Sequence, residues 1–456
     1  MTWEDDRNKP DDITEIVDRL MPEEIFMKYI FKNAMVLTMN NQEISESCDV
    51  LVEDDVISAI GSLNDEQKNN ARVIDASGKL LMPGLINGHC HVPMTLLRNY
   101  ADDMSLQTWL FDHIFPVEEK LQGEDIYYGS LLGIMEMIAS GTTCFIDMYD
   151  HMNDLARAVE ESGIRAQLSR GMINTGEGPD FSDDTRLNET IDFYKRWNGA
   201  ANGRITGAFA PHAIYTCSPA YIRAIVETAQ KYGAPIHVHL DETLVEHEDC
   251  LKKYGKTPAK HLYDLGVFEQ KTVAAHCVWI TEDDARILAD NKVTMTHNPS
   301  SNLKLASGIA PVPNALNIGV NVALGTDGAS SNNNLNMFEE INLAALIHKG
   351  ANQDPLLITA MESLKMATVN GAIAIGMDNL GVIKEGAKAD IIMIDMDKPH
   401  LMPVHNVVSA LAYSVQASDV CLTMVDGEIL YENGEFKTID KEKVSHGIKK
   451  CYERLF

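Results

Sequence analysis

The chain has 456 residues, of which 45% are hydrophobic and 23% charged. This composition is that of a folded globular protein and argues against disorder and fibrous repeats. Lys and Arg number 38 against 67 Asp and Glu, so the formal net charge is −29. Because such an acidic surface repels phosphate backbones and anionic lipid headgroups, we expect neither nucleic acid nor membrane as a partner.

The N-terminal text, MTWEDDRNKPDD, lacks the basic and then apolar character of a secretory signal. No apolar run in the sequence approaches the roughly 18–20 residues that a membrane span needs. The eight cysteines are scattered without a CxxC pair, which favours reduced thiols. We therefore expect a cytoplasmic protein.

Residues 1–26 are predicted to form an extension, helical or loose, outside the folded domains. From 27 to 82, short β-rich runs such as MKYIFKNAMVLTMN and DVLVEDDVISAIG predict the first part of a small β-sandwich. Similar runs return in 385–456, where Asp426-Gly427 between apolar segments indicates a hairpin. We expect the two segments to form one composite β-sandwich, followed by a C-terminal helix.

Residues 83–384 alternate short apolar runs with longer amphipathic stretches, the pattern of parallel βα units. The candidate strands are LMPGLINGHCH, GTTCFIDMYD, GIRAQLSRG, GRITGAFAPH, APIHVHLDE, KTVAAHCVW, KVTMTHNP and GVNVALGTDG. Eight such units predict an α/β fold of the TIM-type, a (β/α)8 barrel. Its chemistry is expected at the C-terminal ends of the strands.

Four of these candidate strands end in potential metal ligands. His89 and His91 end the first strand, and the others are His239, His276 and Asp327. Alternate strand residues point the same way, so the first pair can face one ion, although alone it could equally be an ordinary polar rim. A barrel gathers strand ends onto one rim, so the set predicts a site for a divalent ion such as Zn²⁺.

Several segments carry a resemblance to a known family, namely PGLINGHCH, HVHLDET, AAHC, HNPSSNLKLASGIAP and GTDGASSNNNLNMFEE. They resemble the amidohydrolase superfamily over Met27 to Phe456. The segment HVPMTLLRNYADDMSLQTWLFDHIFPVEEKL is similar to the branch that contains 5-methylthioadenosine/S-adenosylhomocysteine deaminases, with chlorohydrolase-like and guanine-deaminase-like relatives nearby. The fourth candidate strand lacks the bridging lysine of two-metal members, which implies a single ion. The ligands implied by the resemblance are His89, His91, His239 and Asp327.

The resemblance implies a metal-dependent hydrolytic deaminase. It would convert the 6-amino group of 5-methylthioadenosine, S-adenosylhomocysteine or adenosine to the inosine analogue with release of ammonia. We expect a small nucleoside substrate and a homo-oligomer. The alternatives are another hydrolase, such as a guanine deaminase or a triazine or heteroaromatic chlorohydrolase, and a catalytically silent barrel that serves as a binding module. The presence of every expected metal and acid residue argues against a silent barrel.

Such a reaction needs a nucleophile at neutral pH and a proton for the ring nitrogen. Glu242, three residues after His239, is the candidate acid, and the alternative is a surface carboxylate at the start of the following helix. Asp327 is expected to touch the metal and to accept the proton of the attacking water. His276 is expected to orient that water rather than to hold the metal.

By resemblance, Glu118 binds the ribose diol, or else lies on a helix surface. His212 contacts the adenine ring, or else supports its neighbours. Trp109 either walls the pocket or belongs to the core.

Two arginines match the guanidinium groups that meet the amino-acid carboxylate of S-adenosylhomocysteine in this branch. Arg170 is preferred because it ends a candidate strand, whereas Arg186 lies in a loop, where a solvated charge is nearly as plausible. Ser331 is expected to face the ligand near the metal.

Overall fold

The computed structural model describes residues 28–41 and 44–456, so the predicted extension at 1–26 lies outside the described residues. Within them the strands form two sheets, one of nine strands and one of eight. The first sheet contains β1 (Lys28–Leu37), β2 (Ile44–Glu53), β3 (Val56–Gly61), β4 (Arg72–Asp75), β5 (Lys79–Pro83), β14 (Ile391–Asp395), β15 (Val420–Val425), β16 (Glu428–Glu432) and β17 (Glu435–Phe436).

The nine-stranded sheet draws on both ends of the chain, as the sequence predicts. Its order is β17-β16-β15-β14-β5-β1-β2-β3, with β4 also on β1. The two segments meet where β14 pairs antiparallel with β5, placing Ile392 opposite Met82. The exact domain boundaries at 82/83 and 384/385 stay a prediction.

The predicted hairpin at Asp426-Gly427 is confirmed, because it joins the antiparallel strands β15 and β16. Both residues have positive φ, 52° and 80°, as a two-residue turn of the primed type requires. A Cβ on Gly427 would lie 1.7 Å from the carbonyl oxygen of Asp54, so only glycine fits the second position.

The second sheet is the predicted parallel barrel, since seven of its eight strands in the described residues fall within a candidate segment and β8 extends one residue beyond its own, to Met172. The strands are β6 (Leu85–Cys90), β7 (Thr142–Tyr149), β8 (Arg165–Met172), β9 (Ile205–Pro211), β10 (Ile236–Leu240), β11 (Thr272–His276), β12 (Thr294–His297) and β13 (Asn321–Leu324).

Hydrogen bonds connect the first and last barrel strands. The amide of Asp327 donates to the carbonyl of His89 at 3.0 Å. The side chain of Asn87 donates to the Thr326 hydroxyl at 2.7 Å and accepts from the Thr326 amide at 3.0 Å. These bonds bring the ends of β6 and β13 together, and the sheet wraps into a barrel.

The first candidate strand, which covers Leu81 to His91, is divided in the structure. Its first three residues belong to β5, and β6 begins only at Leu85. The break lies at Gly84, whose amide donates to the carbonyl of Asp390 at 2.9 Å. A Cβ at Gly84 would lie 2.1 Å from the Thr143 hydroxyl oxygen, so the chain can pass between the two sheets only as glycine.

Helices follow most barrel strands and cover the outside of the barrel. One example begins at Ser218, whose hydroxyl accepts from the amide of Tyr221, and ends at Gly233 with φ 63°. The α-helices of the described residues are Asp65–Lys68, Phe115–Glu118, Gly123–Ala139, Met152–Ser162, Thr185–Trp197, Pro219–Tyr232, Leu244–Tyr254, Pro258–Asp264, Glu282–Asp290, Pro299–Lys304, Val312–Ile318, Met337–Asn352, Ala360–Met366, Val369–Ile375, Val407–Tyr413 and Lys441–Leu455. The 3-10 helices are Val92–Leu97, Val267–Glu269, Pro399–Leu401 and Ala417–Asp419, and Thr108–Ile114 is a π-helix.

All eight cysteines lie within the described residues, and each is a free thiol there, as predicted. A search of residues 28–41 and 44–456 for a helix with the length and apolar character of a membrane span finds none.

A buried ion-pair network joins the barrel to the nine-stranded sheet. Arg165, at the start of β8, is 1% exposed. Its guanidinium donates to both carboxylate oxygens of Asp390, at 2.9 and 3.0 Å, and to Asp426 at 2.9 Å. The amide of Asp426 also donates to Asp390, at 2.9 Å. Removing the arginine would leave the buried carboxylate of Asp390 without its cation, whereas Asp426 would keep its ion pair with Lys388 at 2.8 Å.

We expect Arg165→Met to destabilise the fold by about 3–5 kcal/mol, because the carboxylate of Asp390 stays desolvated and loses its cation. The check is the free energy of unfolding from urea denaturation. The matched control is Arg286→Met, since the Arg286 side chain is 53% exposed and pairs with surface acids, where such pairs contribute about 0–1 kcal/mol. Equal losses in the two variants would contradict the assignment.

Candidate active site

Four proposed metal ligands meet at the C-terminal end of the barrel. His89 lies in β6 and His91 directly follows that strand, while His239 lies in β10. Nε2 of His91 is 3.3 Å from Nε2 of His239 and 3.2 Å from Oδ1 of Asp327. Nε2 of His89 is 3.4 Å from the same carboxylate oxygen. The structure therefore brings together side chains that lie far apart in sequence.

The imidazoles of this cluster are each held at Nδ1, which turns Nε2 toward the common centre. The Nδ1 partners are Nε2 of His237 for His89 at 2.8 Å, the carbonyl of Met148 for His91, the carbonyl of His212 for His239 at 2.9 Å, and Oδ1 of Asn302 for His276 at 2.9 Å. A backbone carbonyl can only accept, so His91 and His239 carry their proton on Nδ1 and present a lone pair at Nε2.

These donors fit a divalent metal ion. The ring nitrogens of His89, His91 and His239 lie within 4.8 Å of one another, as do the donor atoms of His89, His276 and Asp327. Ligand nitrogens about 2.0–2.1 Å from one zinc ion are necessarily within roughly 4 Å of each other, so small shifts complete the geometry. Nε2 of His89 is buried without a hydrogen-bond partner in the described part of the chain. A metal would satisfy that atom.

Hydrogen bonds hold both carboxylate oxygens of Asp327 in place. Oδ2 accepts from the hydroxyls of Ser301 at 2.6 Å and Ser331 at 2.8 Å, and Oδ1 accepts from the amide of Gly328 at 2.8 Å. The residue itself has φ 62°, a left-handed conformation that turns its side chain away from the strand direction. Oδ1 thereby faces the two histidines of the first strand.

Glu242 lies beside this cluster and is 4% exposed. Ser307 donates to its Oε1 at 3.3 Å, and its Oε2 is 3.9 Å from Nε2 of His276. Burial raises the pKa of Glu242, and the neighbouring His276 only partly opposes that effect. A carboxylic acid that keeps its proton can donate it to a bound molecule.

A cavity of about 330 Å³ opens onto the cluster. Its wall includes four of the predicted substrate contacts, namely Trp109, Glu118, Arg186 and His212. The prediction that Arg186 lies in a loop is wrong, because the residue belongs to the first turn of the helix Thr185–Trp197. Burial raises the pKa of Glu118 and lowers that of His212 to about 3. His212 is therefore a neutral imidazole, and its Nδ1 lies 3.0 Å from the hydroxyl of Thr216.

Two further predicted contacts lie outside the cavity wall. The guanidinium of Arg170 pairs with Asp150 at 2.9 Å and with Glu189, and Arg170 does not line the cavity. Ser331 is 1% exposed, and its hydroxyl donates a hydrogen bond to Asp327. Contact of either residue with a substrate stays a prediction.

Sequence reasoning missed the side chains that orient the imidazoles. His237 precedes His239 by two positions, so it faces the same side of β10. The repeated HxH spacing of HVH was a signal that could have found it. Asn302 lies within HNPSSNLKL, but nothing in its sequence position indicates that it holds His276.

An eight-stranded parallel barrel with histidines and an aspartate at its strand ends is typical of metal-dependent hydrolases. The family model described as "Amidohydrolase family" matches residues 80–430, and the chain belongs to this family. Curated relatives with similar sequences support this family assignment. A 5-methylthioadenosine/S-adenosylhomocysteine deaminase of Thermoanaerobacter pseudethanolicus is 50% identical over 94% of this chain and 99% of its own length. One of the same name from Acetivibrio thermocellus is 49% identical over 94% of this chain and 100% of its own.

Solved structures give the same fold. An adenosine deaminase from Xanthomonas campestris with bound zinc superposes with a TM-score of 0.88 at 31% identity, covering 94% of this chain and 98% of that one. An atrazine chlorohydrolase from Arthrobacter aurescens complexed with zinc gives 0.87 at 24% identity, covering 93% and 100%. The second likeness is evidence for the fold alone.

Proposed function

We propose that the protein is a metal-dependent hydrolytic deaminase of adenosine-type nucleosides, with 5-methylthioadenosine and S-adenosylhomocysteine as substrates. The observation that carries the proposal is a buried carboxyl, Glu242, beside a cluster of imidazoles and a carboxylate at the mouth of one cavity. The names of relatives at 50% and 49% identity support the choice of substrate. The reaction replaces the 6-amino group with oxygen and releases ammonia.

One divalent ion, Zn²⁺, would be held by His89, His91, His239 and Asp327. Neutral imidazoles with one carboxylate suit zinc, and the related adenosine deaminase structure contains zinc. When bound, the ion would supply a nucleophile at neutral pH by lowering the pKa of water far below its ordinary value, to about 7.

Glu242 supplies the proton that the purine needs. As oxygen adds to the carbon that bears the amino group, the adjacent ring nitrogen gains electron density and takes a proton from the carboxyl. Burial raises the pKa of Glu242, which favours the protonated form that this step uses. His276, 3.9 Å from Glu242, is placed to orient the attacking water.

Asp327 accepts the proton of the attacking water and returns it to the leaving ammonia. The hydroxyls of Ser301 and Ser331 occupy its Oδ2, so Oδ1 is the oxygen directed at the reacting centre. Atoms balance, because one water enters and one ammonia leaves: one water proton travels through Asp327 to the amine, and the other passes from the new hydroxyl group to Glu242, which restores the acid.

The cavity wall supplies the contacts to the nucleoside. Glu118 can accept from the two ribose hydroxyls, and Trp109 forms part of the apolar wall. His212 is neutral and can hydrogen-bond to the ring. Arg186 can meet the amino-acid carboxylate of S-adenosylhomocysteine. Arg170 could bind the same carboxylate only after breaking its ion pairs with Asp150 and Glu189.

A cytoplasmic location and a homo-oligomeric state belong to the same proposal. Free thiols at all eight cysteines support a reducing compartment. The oligomeric state stays a prediction.

The direct test is ammonia release from 5-methylthioadenosine, S-adenosylhomocysteine, adenosine, guanine and a chlorotriazine, with metal analysis of the same sample. We expect the thioether nucleosides to give the highest kcat/KM and the protein to contain about one zinc per chain. Faster turnover of guanine or the triazine would favour the heteroaromatic hydrolases instead. A zinc-loaded protein that releases nothing from any of them would favour a binding module.

We expect Glu242→Gln to lower kcat by about 10²–10⁴-fold, because the amide cannot donate the proton to the ring nitrogen. Zinc content and the melting temperature should stay near wild type. The control is Glu248→Gln, an exposed acid on the same loop-to-helix segment, which should leave kcat unchanged. Deamination by Glu242→Gln at the wild-type rate would remove the proposed acid.

Arg186→Met is expected to lower kcat/KM for S-adenosylhomocysteine by about 10–100-fold, because a hydrogen bond to a charged group is worth about 1.5–3 kcal/mol. Turnover of 5-methylthioadenosine, which has no carboxylate, should change little. Arg170→Met is the comparison, and we expect a selective but smaller loss because its guanidinium is already paired. Equal losses on both substrates would count against a carboxylate contact for either arginine.

A further inference from the structure

His237 is a fully buried histidine that no step of the proposed reaction uses. It lies on β10 with 0% exposure, two positions before His239 and on the same face of the strand. Its Nε2 is 2.8 Å from Nδ1 of His89, and the two rings meet edge to face with their centroids 4.9 Å apart. Backbone carbonyls hold His91 and His239, whereas a side chain holds His89.

The donor in the hydrogen bond between His237 and His89 can be identified from the contacts of Ser169, which lies on the other side of the His237 ring. The hydroxyl of Ser169 donates to the carbonyl of Asp147 at 2.7 Å, and a carbonyl can only accept. Ser169 has one proton, which is thereby used, so its oxygen offers a lone pair to Nδ1 of His237 at 3.5 Å. Nδ1 of His237 therefore carries the proton.

The proton on Nδ1 of His237 also determines which nitrogen of His89 carries a proton. A fully buried imidazole is disfavoured as a cation, so His237 with its proton on Nδ1 presents a lone pair at Nε2. It accepts the proton of Nδ1 of His89. The lone pair of His89 is then on Nε2, which is the buried atom without a hydrogen-bond partner and lies 3.4 Å from Oδ1 of Asp327.

We infer that His237 is a positioning residue of the metal site, which fixes the tautomer and the ring orientation of His89 by accepting its Nδ1 proton. His237 is not itself a ligand, because its Nε2 is occupied by that hydrogen bond. The inference rests on the proposed function, since it assumes that His89 binds the ion. Partners of this kind affect metal affinity by about 10–100-fold in other proteins.

A purely structural role makes a different prediction, and His297 provides the matched comparison. It is also a strand histidine, on β12, and is 1% exposed. Its Nε2 lies 3.3 Å from Nε2 of His348 rather than against a proposed ligand. Replacing either histidine by phenylalanine keeps a flat ring in the core but removes the hydrogen bond.

The experiment measures the zinc dissociation constant of the full-length apoprotein by competition with a chromophoric chelator, together with the melting temperature of the apoprotein. We expect His237→Phe to bind zinc about 10–100-fold more weakly than wild type. His237→Gln, whose carbonyl can still accept from His89, should recover much of the affinity. His297→Phe should lower the melting temperature but leave zinc affinity within about twofold of wild type.

Each other outcome contradicts one part of the argument. Unchanged zinc affinity in His237→Phe, or equal weakening in His297→Phe, would overturn the positioning role while leaving the proposed metal site in place. A wild-type protein that does not bind zinc would overturn the metal site itself. If His237→Phe does not fold, His237→Leu and His237→Gln give the same comparison, because only the second retains an acceptor.

Discussion

The backbone hydrogen bond from the amide of Asp327 to the carbonyl of His89, at 3.0 Å, is the contact on which the site depends. It ties the last barrel strand to the first, and both strands carry proposed ligands. Because all strands run parallel, their C-terminal ends lie on the same rim. His91 and His239, 148 positions apart in sequence, consequently have Nε2 atoms 3.3 Å apart. Asp327 and His276 reach the centre with positive φ, 62° and 73°, a conformation that only a well-braced scaffold maintains.

Closure of the barrel also buries two carboxyl groups, those of Asp327 and Glu242, whose surroundings favour opposite protonation states. Asp327 accepts from the hydroxyls of Ser301 and Ser331 and from the amide of Gly328, and hydrogen bonds to a carboxylate favour its ionised form. The carboxyl of Glu242 accepts from Ser307 at 3.3 Å, and burial raises its pKa. The ionised form is thus favoured for one carboxyl and the protonated form for the other, which is the direction of division that a base and an acid need in one reaction.

The sequence predicts the barrel and the ligand cluster well because both depend on periodic patterns. Each described barrel strand matches a candidate segment to within one residue, and the ligands lie at strand ends. The division at Gly84 was missed, since one apolar run crosses from one sheet to the other without a charged residue to mark the change. The pairing of Arg170 with Asp150 and Glu189 was missed because one partner on a loop and another on a helix leave no spacing rule in the sequence. For the same reason Asn302 could not be linked to His276 before the fold was known.

The nine-stranded sheet contacts the N-terminal end of the barrel, opposite to the end that carries the proposed active site. Gly84, just before β6, donates to the carbonyl of Asp390, and Arg165, the first residue of β8, pairs with the same aspartate and with Asp426. These contacts hold the N-terminal ends of two barrel strands. Ligand positions at the other end follow from where each strand begins, since a strand of fixed rise places its last residue at a fixed height. The composite sheet therefore contributes to the register of the site without any of its residues entering the cavity wall described above.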